Sequence, residues 1–176
     1  FFAFEYNITV PCFKTPGNSN SVTTAAGSAT LPSHYFRTVA SGNWNNTSTW
    51  ESSPDNATWN PATAKPTSAS SGITIRNLHT VTITAPETGK LINIAVGGTL
   101  TYNNTGAGGW DLDIASDGTA AHELIVNGTY LIYGIAPTLA VGATCQVAAT
   151  GIIRANGNAG AGTADDFARS TQIFLV

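Results

Sequence analysis

The chain has 176 residues, with 7 Lys and Arg against 10 Asp and Glu, and only 10% of it is charged, well below the roughly one quarter usual in a soluble domain. A net charge of −3 without any basic run excludes the clustered cations that hold nucleic acid or an anionic membrane surface. A hydrophobic content of 42% excludes a disordered tail, and no apolar run approaches the roughly 18 residues of a membrane span. With 26 Thr, 15 Asn and 13 Ser, the surface shown to water must be built mostly from hydroxyls and amides.

Residues 1–13 open the chain with Phe2, Phe4, Tyr6, Ile8, Val10 and Cys12 at alternate positions and Glu5, Asn7 and Thr9 between them. Period two of this kind predicts one long amphipathic strand, roughly 40 Å if extended. Residues 14–34 hold Pro16, Gly17, Gly27 and many small polar residues, too little apolar surface to offset ordering, and read as a linker. A strand tethered in this way can cross to a neighbouring subunit and complete its sheet, burying Phe2, Phe4, Tyr6, Ile8 and Val10 there. Head-to-tail addition does not close, so it would build a homo-oligomer or filament. Docking back onto its own domain is the alternative.

No methionine occurs, even at position 1, so a processed product of an exported precursor is expected. Six Asn-x-Ser/Thr sequons, at Asn7, Asn45, Asn46, Asn56, Asn103 and Asn127, carry little weight in a chain so rich in these residues. Cys12 and Cys145 are too few and too far apart for a zinc site and are expected to pair as a disulfide in an oxidising compartment.

Residues 35–72 carry Trp44, Trp50 and Trp59 among turn formers such as Gly42-Asn43 and Pro54-Asp55-Asn56. These rings are expected to fill the core of a cap covering exposed strand edges, rather than to stand in a row as a sugar platform. Trp110, outside this block and preceded by Gly108-Gly109, is the candidate for an exposed carbohydrate contact.

Residues 73–176 alternate in short bursts: Ile73/Ile75, Val81/Ile83, Ile92/Ile94/Val96, Leu100/Tyr102, Leu112/Ile114, Leu124/Val126 and Leu139/Val141. Such bursts, punctuated by Gly, Asn and Asp, predict many short strands and almost no helix. A motif of Val, any residue, Gly or Ala, then Thr recurs at 96–99, 126–129 and 141–144, which suggests a coiled β-solenoid with glycine at its corners. A β-sandwich explains the alternation as an alternative. For the solenoid, the expected core is Ile75, Ile83, Ile94, Leu100, Ile114, Val126 and Val141.

Catalytic signals are weak. Asp111, Asp113, Asp117 and Glu123 beside His122 lack the spacing of a calcium loop and read as a solvated outer face. Asp165-Asp166 with Arg169 resembles the acid pairs of polysaccharide-cleaving enzymes, but adjacent strand residues point to opposite faces. His34, His79 and His122 stand without a recognisable nucleophile and are expected to be structural. No cofactor or metal is predicted.

The blocks Arg37 to Trp44, Thr47 to Ser53, Trp59, Pro66-Thr67 and Ile73 to Ile83 occur in an order that resembles the N-terminal start of large secreted surface proteins of Bacteroidetes-type bacteria. The resemblance implies a right-handed parallel β-helix behind a Trp-rich start, in adhesin-like chains exported through the type IX pathway. His79 follows Leu78 where that pattern has glycine. Together these readings predict an all-β, non-catalytic, extracellular protein of a bacterial cell surface, structural or adhesive, that self-associates. A carbohydrate-binding module contacting a surface glycan is the alternative, as is a β-helix polysaccharide lyase or hydrolase.

Overall fold

The computed structural model describes residues 29–102, 112–119, 122–132 and 138–155, together with the backbone strand 173–175. The expected strand 1–13 and most of the linker 14–34 lie outside these residues. Among the described residues the fold is all-β, and its only helical element is a 3-10 turn at Thr47–Thr49.

The strands divide among three sheets. Sheet A contains β1 (Tyr35–Thr38), β3 (Trp50–Ser53), β4 (Asn60–Pro61), β5 (Gly72–Ile75), β8 (Ile92–Ile94), β11 (Leu124–Val126), β14 (Cys145–Val147) and β16 (Ile173–Leu175). Sheet B contains β2 (Gly42–Asn43), β6 (Thr80–Ile83), β9 (Thr99–Tyr102), β12 (Thr129–Ile132) and β15 (Ile152–Ala155). Sheet C contains β7 (Glu87–Gly89), β10 (Leu112–Ile114) and β13 (Thr138–Leu139). From β5 to β13 the chain visits A, B and C in that order and returns each time to pair in parallel with the strand three places earlier. Among the described residues, antiparallel pairing, which a β-sandwich uses throughout, is confined to β1–β3 and β3–β4.

Parallel pairing in register places like positions above one another, so the alternation of each strand adds to the same interior stack. In sheet A, Phe36, Ile73, Ile92, Leu124 and Cys145 form one stack, and Ile75, Ile94, Val126 and Val147 a second. In sheet B, Val81, Leu100, Tyr130 and Ile153 follow suit. Six of the seven expected core residues, Ile75, Ile83, Ile94, Leu100, Ile114 and Val126, are fully buried.

Val141 is the exception and corrects that expectation: it is 100% exposed. Ala143 donates its N–H to the Ala140 carbonyl at 2.9 Å, and Gly142 has φ +88°, so Val141 stands at the outer position of a turn. The recurring Val-x-Gly/Ala-Thr motif therefore marks turns at Val96 and Val141 but a strand end at Val126, and does not count equivalent positions.

The corner between sheets A and B depends on glycine. A Cβ on Gly98 would lie 2.8 Å from the Ile75 carbonyl, one on Gly128 2.3 Å from that of Ala95, and one on Gly151 2.0 Å from that of Val126. His79 holds the corresponding place before β6, where the corner beneath belongs to β1 and β2. There the side chain has room, and its Nδ1 bonds the Thr38 hydroxyl at 2.8 Å. Leu78, beside it, adopts φ +63°, the left-handed region that glycine enters at the equivalent Gly97 (φ +76°).

Residues 35–61 lie beside β5 and β6, with β1 paired to β5 and β2 to β6. Trp44 and Trp50 are both buried and meet edge to face, with ring centroids 5.3 Å apart. Trp50 donates its Nε1–H to the Trp44 carbonyl at 2.8 Å, and Trp44 donates its own to the Pro66 carbonyl at 3.3 Å. A Cβ on Gly89 would stand 2.9 Å from Ile92 Cδ1 and 3.3 Å from both Ile73 Cδ1 and Trp44 Cζ2, so the packed interior leaves little room for a side chain there. Lys65, on the cap loop, reaches the buried Glu87 at 2.6 Å. Pro61 on edge strand β4 offers no N–H, which blunts that edge against further pairing.

Candidate functional site

Strand β1 alternates, with Phe36 and Thr38 inward and Tyr35 and Arg37 outward. Its antiparallel register with β3 sets Arg37 directly opposite Glu51, and Arg37 donates from Nε to Glu51 Oε1 at 2.5 Å. Arg76, just past β5, donates from Nη1 to the same oxygen at 3.3 Å and to the Thr38 carbonyl at 3.4 Å. Two guanidinium groups thus share one carboxylate on the outer face of sheet A. Exposed pairs of this kind add little to stability. Arg76, 47% exposed, falls in this class, whereas Arg37 at 33% and Glu51 at 17% exposed form a part-buried pair.

Aromatic rings flank the charges. Arg37 Cζ lies 4.0 Å over the Trp59 ring centroid, a cation–π contact. Trp59 is carried by a turn that Asp55 organises, accepting from Ser53 Oγ at 2.7 Å, Ala57 N at 2.9 Å and Thr58 N at 2.7 Å. These donors, the Thr58 N–H foremost, hold the Asp55 carboxyl well below the usual carboxylate range. Tyr35 lies across its register partner Gly72, its ring 3.2 Å from where a Cβ would stand. A groove of about 410 Å³ continues from Glu51 between Val39, Thr47, Ser48, Trp50, Pro61 and Ala62.

The acids expected on an outer face separate. Asp113 is exposed on β10, and Asp117 accepts from the Thr119 hydroxyl at 2.7 Å and the Thr119 N–H at 2.8 Å, which lowers its pKa. Glu123 corrects the expectation, being fully buried. Its Oε2 accepts from Thr144 N at 2.7 Å, and its Oε1 from Ser116 Oγ and Asp117 N at 3.3 Å each, so it ties two loops together at the corner before β11. Among the described residues, no group of three His, Cys, Asp or Glu could hold a metal ion.

His34 is buried, and His122 bonds the Thr144 hydroxyl at 2.9 Å. Cys145 is a free thiol in the core, its pKa pushed up to about 11 by burial. Cys12, Trp110, Asp111, Asp165, Asp166 and Arg169 lie outside the described residues, as do Phe2, Phe4, Tyr6, Ile8 and Val10. Among the described residues, no helix is long and apolar enough to cross a membrane.

The grouping of Tyr35, Arg37, Glu51, Trp59 and Arg76 escapes a reading of the sequence, which assigns the tryptophans to the cap without distinguishing buried Trp44 and Trp50 from half-buried Trp59. The available signal is the alternation of Tyr35-Phe36-Arg37-Thr38, which puts an aromatic and a cation on one face. Comparison of the chain with family profiles, with curated proteins and with solved structures finds no match.

Proposed function

We propose that this chain is a right-handed parallel β-helix from an exported bacterial surface protein, with a structural or adhesive rather than catalytic role. The observation that carries the reading is the ordered succession of sheets A, B and C, each revisited in parallel, with Trp44 closing one end. Crossovers between parallel strands of one sheet are right-handed in nearly all proteins, which supports the hand. The Trp-rich start that resembles secreted surface proteins supports the location. A scaffold with a regular, charge-poor surface suits a rigid stalk or display surface. Strand addition by residues 1–13, with Phe2, Phe4, Tyr6, Ile8 and Val10 buried in a neighbour, would join such units into a filament.

Two experiments test the reading. Antibody raised against the chain should label intact, unpermeabilised source cells, and labelling only after lysis would overturn the location. Deleting residues 1–13 should convert native assemblies into monomers, and unchanged assemblies on sizing would overturn the filament. Carbohydrate binding is the second reading, favoured by the half-buried Trp59 and Tyr35 and by a groove that shares Glu51 with their arginine cluster.

A further inference from the structure

We propose that the Tyr35–Arg37–Trp59–Arg76 face of the cap, with its adjoining groove, binds a carboxylated polysaccharide built of uronic acid residues. The inference rests on the adhesive reading and names the partner class of that surface. Three features of the site carry it.

The first is unspent positive charge. Arg37 and Arg76 converge on the single carboxylate of Glu51, so the cluster keeps one formal positive charge. Among the described residues, the Arg37 side chain uses only Nε in hydrogen bonding and the Arg76 side chain only Nη1. With Arg37 33% and Arg76 47% exposed, the remaining guanidinium N–H groups are available as the planar fork that matches a carboxylate.

The second is pre-organisation. Glu51 fixes both guanidinium groups, and Trp59 holds Arg37 from one side, so little side-chain freedom remains to be lost on binding. The third is shape and chemistry. The groove, about 410 Å³, falls within the roughly 300–1,000 Å³ typical of small-ligand sites. Val39, Pro61 and Ala62 offer apolar contact for sugar C–H faces, while Thr47 and Ser48 offer hydroxyls for ring substituents.

The same features select against other anions. A densely sulfated or phosphorylated polymer would bring several charges against Glu51 and a chain of net charge −3. One carboxylate per sugar ring matches one surplus cation, and a neutral glycan would leave that cation unanswered.

The test is affinity electrophoresis of the full chain through gels containing polygalacturonate, its fully methyl-esterified form, dextran sulfate or a neutral glucan. Polygalacturonate should retard the protein, and the methyl ester and neutral glucan should not. Arg76→Gln should weaken the retardation about 10-fold or more, the scale of one charge-assisted hydrogen bond. Arg154→Gln, which changes an exposed arginine on β15, should leave it unaltered. Arg37→Gln provides a second variant, with thermal melts confirming that each variant is folded.

Absence of retardation, equal loss in Arg154→Gln and Arg76→Gln, or tighter binding of dextran sulfate than of polygalacturonate would each overturn the proposal. Protein-coated beads that adhere to cells or surfaces yet ignore polygalacturonate would refute this partner alone. Beads that adhere to nothing would refute the adhesive reading itself.

Discussion

Replacing Gly128 by alanine tests the corner between sheets A and B. The new methyl group would stand 2.3 Å from the Ala95 carbonyl oxygen and 2.4 Å from that of Gly98, and both obstacles are backbone. Neither can rotate away as a flexible side chain would. Relief requires the segment to lift from its neighbour, across which Asn127 N and Gly128 N donate to the Ile94 carbonyl and Thr129 N to the Gly98 carbonyl, all at 2.9 Å. Overpacking costs about 1–3 kcal/mol, and each weakened hydrogen bond adds about 1 kcal/mol. Reduced freedom of the unfolded chain returns only about 0.4–1 kcal/mol. The expected loss is therefore about 3–5 kcal/mol, or roughly 6–20 °C in Tm for a chain of this size.

Urea denaturation followed by the fluorescence of the buried Trp44 and Trp50 measures it. Gly118→Ala is the control, since nothing lies within 4 Å of its Cβ and only its φ of +75° opposes the change. That backbone strain is worth about 1–2 kcal/mol. The corner is misassigned if Gly128→Ala proves no more destabilising than Gly118→Ala.

Three further outcomes are expected. Val126→Ala should cost about 1.5–3 kcal/mol in urea unfolding, whereas Val141→Ala should stay within about 0.5 kcal/mol of the parent, because only the former side chain is buried. Asp55, whose carboxyl is held low in the folded chain, contributes stability that is present above the ordinary carboxylate pKa of about 3.9 and lost as pH falls through the folded value. Asp55→Asn should therefore be less stable than the parent at neutral pH, and the gap should narrow on acidification below about pH 4. Cys145, buried and with its pKa raised to about 11, should resist iodoacetamide at pH 8 in the native protein and react once unfolded in urea, as peptide mass mapping would show, and a need for reductant in urea would mark the expected bond to Cys12.

Period-two alternation identifies the interior because a strand has only two faces, which is why Ile75, Ile94 and Val126 can be placed from sequence. Alternation cannot tell a strand from a turn that happens to keep phase, and Val141, one residue before Gly142, is misplaced for that reason. Glycine at corners is legible as punctuation. Which carbonyl each glycine spares becomes visible only when the neighbouring strands are known, and the same knowledge explains His79 at a glycine position. Glu123 reads as solvated because its satisfying donors, Thr144 N and Asp117 N, come from two different loops. The arginine and aromatic face is hidden more deeply, since it depends on the register of β1 against both β3 and β5, and register leaves no mark on composition.

The proposed parallel coil is tested most directly by cross-strand NOEs measured on the isotope-labelled chain. Thr99 should show backbone NOEs to both Thr80 and Thr129, and Asn93 to both Thr74 and Ile125, in the staggered pattern of parallel neighbours. Strong Hα–Hα contacts between consecutive strands such as β8 and β9, the signature of antiparallel hairpins, would contradict the coil and restore the sandwich.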